Sequence, residues 1–334
     1  MKQKKTTHIH RHRILAILAA AAMTALSLTG CGQGTSRMMF GTGGTAGTYY
    51  SYGGVIAQYI TNYADAKVTA VSTGGSKVNI QSIQDGDFQL GFTQSDVMAY
   101  AWDGVKSFEQ DGPTHDFRVL GGLYAETVQL VTMDPDIQSV EDLKGKSVSI
   151  GAAGSGTYFN AIDVLEAAGI SLDDIHPQYQ SFEDSKESLK DGKIDAAFIV
   201  AGAPTTAITE LATTNGVYLI DIDGELRDDI LESCPYYTAF EIPANTYPGQ
   251  DEPVDTITVK ATVVVSADLD ADTVYNMTAA IFDHTEEIAQ ENAKGQELTI
   301  ENATEGMAVP FHEGAARYYA EHGVTVNTDT AERE

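Results

Sequence analysis

Residues 40–54 of the chain read FGTGGTAGTYYSYGG and begin with a glycine-rich turn. Glycine lets backbone N–H groups approach a bound anion closely, and a helix that begins after such a turn adds a partial positive charge. This stretch can therefore cradle a nucleotide phosphate, hold a small carboxylate, or serve only as a turn. The surrounding residues decide between these three interpretations.

Dinucleotide binding fits the turn poorly. Gly41, Gly43 and Ala46 match the spacing G-x-G-x-x-G/A, and a helical pattern follows them. The fingerprint also needs an acidic residue at the end of the second strand to bind the ribose hydroxyl, whereas the sequence at the end of that predicted strand is Val71-Ser72-Thr73, which contains no acid. No Gly-Lys-Ser/Thr follows any of the glycine turns either, so a phosphate loop of the Walker type is disfavoured.

Similar turns follow five predicted strands. They read GTGGTAGT at 41–48, STGGS at 72–76, TQSD at 93–96, GAAGSGT at 151–157 and AGAPTT at 201–206. Open α/β sheets bind ligands beyond the carboxyl ends of their strands, and one such turn alone usually has only a structural role. Together the five turns predict a cleft that holds a small carboxylate or phosphate with backbone amides and hydroxyls, without Lys or Arg.

The turns belong to a repeated alternation of strands and helices. Strands are predicted at 38–41, 67–72, 88–92, 146–151, 196–200 and 217–222, and helices at 50–63, 76–85, 96–102, 157–168, 181–190 and 205–213. This order predicts right-handed crossovers and a mainly parallel sheet in each of two consecutive α/β units.

Two long extended segments, 119–132 and 256–266, flank the second unit and are predicted to be hinge strands. Residues 242–253 contain three prolines and are predicted to be irregular, and helices at 271–292 and 312–322 are expected to pack on the first unit. The predicted fold is therefore α/β with two lobes. Lobe I comprises 38–127 and 258–328, and lobe II comprises 128–257.

The N-terminus has the pattern of a secretory lipoprotein signal over residues 1–30. Its first 13 residues contain basic residues and no acid, and the apolar run that follows is about 15 residues, short of the ~20 that cross a bilayer. It ends in LTGC, which resembles a lipobox and predicts lipidation of Cys31, a linker at 31–37 and an extracytoplasmic, membrane-anchored protein. An ordinary cleaved signal is the alternative. If Cys31 is acylated, Cys234 is the only free thiol.

Composition and charge limit the classes of partner and of chemistry that the sequence can support. The formal charge is −28, which disfavours nucleic acid as a partner because an acidic surface repels phosphates. His312 and Glu313 are adjacent rather than in HExxH spacing, and no G-x-S-x-G sequence or convincing Ser/His/Asp set stands out. The sequence therefore predicts no metal, no cofactor and no catalytic residues.

Six blocks of sequence also carry a family resemblance, and they span about 38–323. They are FGTGGTAGTYYSYGGVIAQYI, VSTGGSKVNIQSIQDGDFQLGFTQSDV, LYAETVQLVT, VEDLKGKSVSIGAAGSGT, LKDGKIDAAFIVAGAPTTAITELA and VPFHEGAARYYAEHG. The chain resembles the TAXI family, the TRAP-associated extracytoplasmic immunogenic solute receptors. The resemblance implies a type II periplasmic-binding-protein fold that captures a solute by lobe closure and delivers it to a TRAP permease, a secondary transporter driven by an ion gradient. Members with known ligands bind glutamate or related dicarboxylates, so a small carboxylate of this kind is the expected ligand.

The turns and the resemblance indicate the same ligand-binding residues. In the first lobe these are Gly43, Gly44, Thr45, Thr48, Tyr49, Thr73, Gly74, Gly75, Ser76, Gln94 and Ser95; in the second they are Ser155, Gly156, Thr157, Ala203, Pro204 and Thr205. Their amides and hydroxyls are expected to hold a ligand carboxylate. Tyr49 and Tyr124 are expected to supply an apolar wall and a donor.

An amino-acid ligand also brings an ammonium group, for which Asp96 and Glu126 are the candidate acceptors. Asp96 could equally cap the helix that follows it. Arg118 is a candidate for a distal carboxylate or for a surface ion pair. Two alternatives to transport stay open, a sensory receptor that signals to a membrane kinase and, less favoured, an exported enzyme on the same fold.

Overall fold

The structure, a computed structural model, describes residues 37–330. The predicted signal, Cys31 and all of the predicted linker except Arg37 lie outside the described residues. The ten strands of the described part are β1 Arg37–Gly41, β2 Lys67–Val71, β3 Leu90–Gln94, β4 Phe117–Thr132, β5 Ser147–Ser149, β6 His176–Gln178, β7 Ala196–Ala201, β8 Tyr218–Ile220, β9 Thr238–Ile242 and β10 Val254–Ser266.

Helices connect these strands as the alternating pattern predicts. They are α1 Thr48–Tyr63, α2 Ser76–Gln84, α3 Ser95–Asp103, α4 Gly156–Ala167, α5 Phe182–Lys190, α6 Thr206–Thr214, α7 Gly224–Ser233, α8 Ala271–Phe282, α9 Thr285–Glu291, α10 Ile300–Thr304 and α11 Glu313–Glu321. None of the helices between residues 37 and 330 is long and apolar enough to cross a bilayer.

The described strands form one sheet in the order β2-β1-β3-β10-β4-β7-β5-β6, with β9 beside β10 and β8 beside β4. β1 is parallel to β2 and β3, and β5 is parallel to β6 and β7. Every pair that involves β4 or β10 is antiparallel. The prediction of a mainly parallel sheet in each α/β unit is thus confirmed for β1–β3 and for β5–β7. The two long strands between these units, for which the sequence indicated no direction, run in opposite directions.

Strands β4 and β10 belong to both halves of the sheet. They pair with each other from Phe117 opposite Ser266 to Thr127 opposite Thr258. Beyond that point β4 pairs with β7 and β10 pairs with β9. We call the half that contains β1–β3 the first lobe and the half that contains β5–β7 the second lobe. The two long strands are the connection that the sequence predicted, and the α/β two-lobed fold is confirmed.

Separate hydrophobic cores stabilise the lobes. The core of the first lobe includes Phe40, Tyr52 and Phe92 and is completed by the C-terminal helices α8 and α11, as predicted. Tyr319 of α11 is fully buried there, and its hydroxyl donates to the Leu120 carbonyl oxygen at 2.9 Å. The second lobe has its own clusters on the faces of β5 and β7. Burial of each large apolar side chain contributes about 1.5–3 kcal/mol, so each lobe has a stable core of its own.

Several element boundaries differ from the predictions. Strand β3 begins at Leu90 rather than at 88, because the amides of Asp87 and Phe88 bond to the Ser82 carbonyl oxygen and close the end of α2. The helix predicted at 271–292 is divided into α8 and α9. Strands β6 and β9 and helix α7 were not predicted, and β9 extends to Ile242 at the start of the segment predicted to be irregular.

Candidate functional site

A cavity of about 140 Å³ lies between the two lobes, where the turns at the carboxyl ends of the strands face each other. Since a water molecule takes up about 30 Å³ of liquid, the cavity suits a small metabolite rather than a drug-sized ligand, which needs ~300 Å³ or more. Its lining residues are Gly43, Gly44, Gly47, Thr48, Tyr49, Thr73, Gly74, Gly75, Ser76, Gln94 and Glu126 from the first lobe and the hinge strand, and Ala152, Ser155, Gly156, Thr157, Gln180, Ser181, Phe182, Val200 and Ala201 from the second.

Most of the predicted site residues are among these lining residues. The predicted residues outside the lining are Thr45, Ser95, Asp96, Tyr124, Ala203, Pro204 and Thr205. Lining residues that the sequence did not indicate include the turn from Gln180 to Phe182. That turn follows β6, which has only three residues and contains a proline, so no strand was predicted before it.

Helix N-termini from both lobes meet at the cavity. Helices α1 and α2 begin at the cavity after Gly47 and Gly75, which have no side chain to cap a helix. Helix α3 begins after Gln94, but Ser95 and Asp96 lie outside the lining, and the Asp96 carboxyl group accepts from the Asp96 and Val97 amides. In the second lobe, the Ser155 and Ser181 side chains cap α4 and α5. The first N–H groups of a helix have no acceptor within the helix. The first lobe therefore offers the larger set of backbone donors without a side-chain cap, although the Lys77 amide of α2 already donates to the Gly154 carbonyl oxygen of the second lobe.

Buried hydrogen bonds hold the first-lobe turns in place. The Asn79 side chain is fully buried, and its amide donates to the carbonyl oxygens of Thr42 and Phe92 at 2.7 and 2.8 Å. Asn79 thereby joins the ends of β1 and β3 to helix α2. The Thr73 hydroxyl accepts from the Gly75 amide at 3.1 Å, where Gly75 has φ +99°, a conformation that glycine adopts without strain. These contacts fix the direction of the α2 N-terminus toward the cavity.

Glu126 is the buried carboxyl group of the cavity. It lies on the hinge strand β4 and is 2% exposed, and its Oε1 atom has no hydrogen-bond partner. Burial raises the pKa of Glu126 to about 8, an effect that Tyr124, Gln94 and Lys294 offset in part. The Tyr49 hydroxyl and Gln94 Oε1 are likewise buried in the cavity wall without partners. A buried polar atom is normally satisfied, so this group of atoms is suited to a ligand that donates hydrogen bonds.

Glycines allow the lobes to meet closely around the cavity. A Cβ atom on Gly156 of the second lobe would overlap the Gln94 side-chain amide of the first lobe. A Cβ atom on Gly47 would lie 3.2 Å from the ring of Phe182, which belongs to the opposite lobe. The Thr48 hydroxyl also donates to the Gly202 carbonyl oxygen across the gap at 3.1 Å. Small residues at these positions are therefore a requirement of lobe contact as well as of anion binding.

Among the predicted residues outside the lining, Thr205 has a structural role. Its hydroxyl accepts from the Gln129 amide at 2.9 Å and donates to the Gly202 carbonyl oxygen at 3.0 Å, and its own amide donates to the Tyr247 hydroxyl. Tyr124 is fully buried behind the cavity, edge-on to Tyr49 and Tyr52. Asp96 is also fully buried, with Asn160 as its partner, and burial raises its pKa to about 7.

The described lining of the cavity contains neither cationic side chains nor a metal-binding cluster. None of the described residues that line the cavity is Lys or Arg. Arg118 donates to the His115 and Phe117 carbonyl oxygens and lies over the Trp102 ring, away from the cavity. The described part of the chain contains no group of three or more side chains able to hold a metal ion, and His312 caps α11.

A family model covers all of the residues that line this cavity. The model of the NMT1-like family matches residues 40–323. The chain belongs to the NMT1-like family.

Solved structures of other proteins are similar to this chain at low sequence identity. A protein from Bordetella bronchiseptica RB50 is 14% identical, with 89% of this chain and 92% of that chain covered and a TM-score of 0.52. The periplasmic aliphatic sulphonate binding protein of Escherichia coli is 18% identical, with 86% and 83% covered and a TM-score of 0.45. A periplasmic binding protein of Salmonella typhimurium with high arginine specificity is 14% identical, with 77% and 98% covered and a TM-score of 0.45.

Proposed function

We propose that this NMT1-like protein is an extracytoplasmic, lipid-anchored solute receptor that captures a small carboxylate, glutamate or a related amino acid or dicarboxylate, between its lobes. The observation that carries the proposal is the pairing of two features in one small cavity. The N-termini of α1 and α2 face the cavity from the first lobe without side-chain caps, and the buried carboxyl group of Glu126, whose Oε1 atom has no partner, lies on the hinge strand beside them.

Each feature suits one end of an amino acid. Backbone amides at helix N-termini bind a carboxylate without a cationic side chain. Glu126 is the acid in the lining and accepts the ammonium group, whereas Asp96 is paired with Asn160 outside the lining. Of the two acids that the sequence offered for the ammonium group, Glu126 is supported by its position in the lining. A dicarboxylate without an ammonium group would instead meet Glu126 in its protonated form, which can donate a hydrogen bond.

Binding couples to lobe closure because both lobes contribute to the lining. A ligand that contacts both lobes favours the closed arrangement by its difference in affinity for the two states. In the TAXI interpretation, a TRAP-type permease then recognises the closed receptor and takes up the solute with energy from an ion gradient. The receptor itself needs no catalytic group for this cycle.

Thermal unfolding against a ligand panel tests the binding step. The panel holds L-glutamate, L-glutamine, L-aspartate, 2-oxoglutarate, succinate and aliphatic acids, and a ligand at 100 times its dissociation constant adds about 2.7 kcal/mol to the free energy of unfolding. We expect an amino acid to raise the midpoint by several degrees, and the shift to shrink in Glu126→Gln. No shift with any member, in protein freed of carried-over ligand, would refute the proposed ligand class.

Uptake in cells tests the partner. With the receptor and a TRAP permease expressed together, uptake of the identified ligand is expected to stop when an ionophore collapses the ion gradient and to continue when ATP is depleted with the gradient maintained. Dependence on ATP in place of the gradient would contradict delivery to a TRAP permease. Replacement of Cys31 by serine tests the anchor, because the variant should leave the membrane fraction.

A further inference from the structure

A second set of buried polar groups lies between the lobes, outside the cavity lining. Asp96 is on helix α3 of the first lobe, and its Oδ2 atom accepts a hydrogen bond from Asn160 Nδ2 of the second lobe at 3.0 Å. Both side chains are fully buried. The same Asn160 nitrogen donates to the Tyr237 hydroxyl at 2.7 Å, and that hydroxyl donates to Asp163 Oδ2 at 2.9 Å.

The chain of contacts then returns to the first lobe. Lys106 Nζ donates to Asp163 Oδ1 at 2.8 Å, and Lys106 belongs to the short helix that follows α3. We call the five residues Asp96, Asn160, Tyr237, Asp163 and Lys106 the interlobe clasp. Two of its members are in the first lobe and three are in the second, so lobe separation must break the contact at each end.

We propose that the interlobe clasp is a positioning device for ligand capture, which sets the free energy of lobe closure from outside the cavity. The physical reason is the burial of Asp96. When the lobes meet, its carboxyl group loses water, and Asn160 is the side chain of the opposite lobe that replaces part of that hydration. The Asp96 and Val97 amides also donate to this carboxyl group, but a buried polar group that loses one of its hydrogen bonds is destabilised, so closure depends on Asn160 although neither residue lines the cavity.

Two backbone amides report closure directly. Lys77 N–H donates to the Gly154 carbonyl oxygen and Ala207 N–H donates to the Ala46 carbonyl oxygen, and both bonds cross between the lobes. Each amide lies in the first turn of its helix, where no intrahelical acceptor exists. Their protection from hydrogen exchange therefore comes from lobe contact, and it can be measured without any added ligand.

Hydrogen exchange in the ligand-free protein tests the proposal, independently of whether the proposed ligand is right. In Asn160→Ala, exchange at Lys77 and Ala207 is expected to speed up by about 3- to 10-fold, the range of one neutral hydrogen bond. The same substitution in an Asp96→Ala background should change exchange little, because no carboxyl group then loses its partner in the opposite lobe. Lys106→Met should speed exchange by up to about 5-fold, as one exposed ion pair allows.

Two controls separate closure from damage to a lobe. Lys193→Met breaks an ion pair with Asp191 that lies within the second lobe, and it should leave exchange at Lys77 and Ala207 unchanged. The amide of Asp191, which bonds to the Glu187 carbonyl oxygen, should exchange at the wild-type rate in every variant except Lys193→Met. The proposal is overturned if Asn160→Ala leaves the two interlobe amides unchanged, or if it has the same effect with and without Asp96.

Discussion

Replacement of Glu126 by glutamine is expected to remove a proton release that accompanies ligand binding. With a pKa of about 8, Glu126 is roughly one-tenth ionised at pH 7, and ionising it there costs about 1.4 kcal/mol. An ammonium group beside it stabilises the carboxylate and lowers its pKa in the complex. Binding of an amino acid at pH 7 should therefore release about 0.9 proton.

The sign of the pH dependence follows from the same shift. Because the ligand binds the ionised form, affinity for L-glutamate should rise by up to about 10-fold per pH unit as pH rises toward 8, and level off above it. Succinate has no ammonium group and repels the ionised form, so its affinity should fall over the same range. The affinities for L-glutamate and succinate should therefore change in opposite directions with pH if Glu126 lies beside the ammonium position of the ligand.

Isothermal titration calorimetry in buffers of different ionisation enthalpy counts the protons released. The wild type is compared with Glu126→Gln, which keeps the size of the side chain and cannot ionise. Asp96 is present in both proteins, so any contribution from its own titration cancels in the comparison. Equal proton release in the two proteins, or none in the wild type while L-glutamate binds, would refute the role assigned to Glu126.

Three further substitutions test the site and its support. Gly156→Ala should weaken ligand affinity at least 10-fold, because the new Cβ atom overlaps the Gln94 side chain across the gap; Gln94→Ala in the same chain should restore lobe closure, seen as a fall in the radius of gyration by X-ray scattering. Thr205→Val should lower the free energy of unfolding by about 1–3 kcal/mol in urea titrations, because buried partners lose a hydroxyl, and should leave ligand affinity unchanged. Ser155→Ala should cost about 1 kcal/mol of unfolding free energy in the same assay through loss of the α4 cap.

The sequence predicted the parts of the fold that depend on local periodicity. Helix α1 and strand β2 end close to their predicted limits, because amphipathic spacing and β-branched runs specify them directly. Strand β9 was not predicted, since its pairing partner β10 lies more than ten residues further along the chain and its exposed residues show little alternation. The direction of the two long strands was not predicted for a related reason, because strand direction is set by tertiary pairing.

The sequence predicted those site residues whose role follows from the chemistry of turns. Gly43, Gly75 and Gly156 were identified because glycine after a predicted strand indicates a turn whose backbone N–H groups can approach a ligand. The approach of Gln94 to Gly156 and of Phe182 to Gly47 could not be predicted, because each pair joins segments far apart in the chain. The burial of Thr205 against Gln129 is a tertiary effect of the same kind.

A crystal structure of the protein grown with L-glutamate tests the central claim most directly. The account predicts density for one molecule in the interlobe cavity, with its α-carboxylate at the N-termini of α1 and α2 and its ammonium group within about 3 Å of a Glu126 carboxyl oxygen. An empty cavity in protein that binds L-glutamate, or a ligand carboxylate turned toward Glu126, would contradict it.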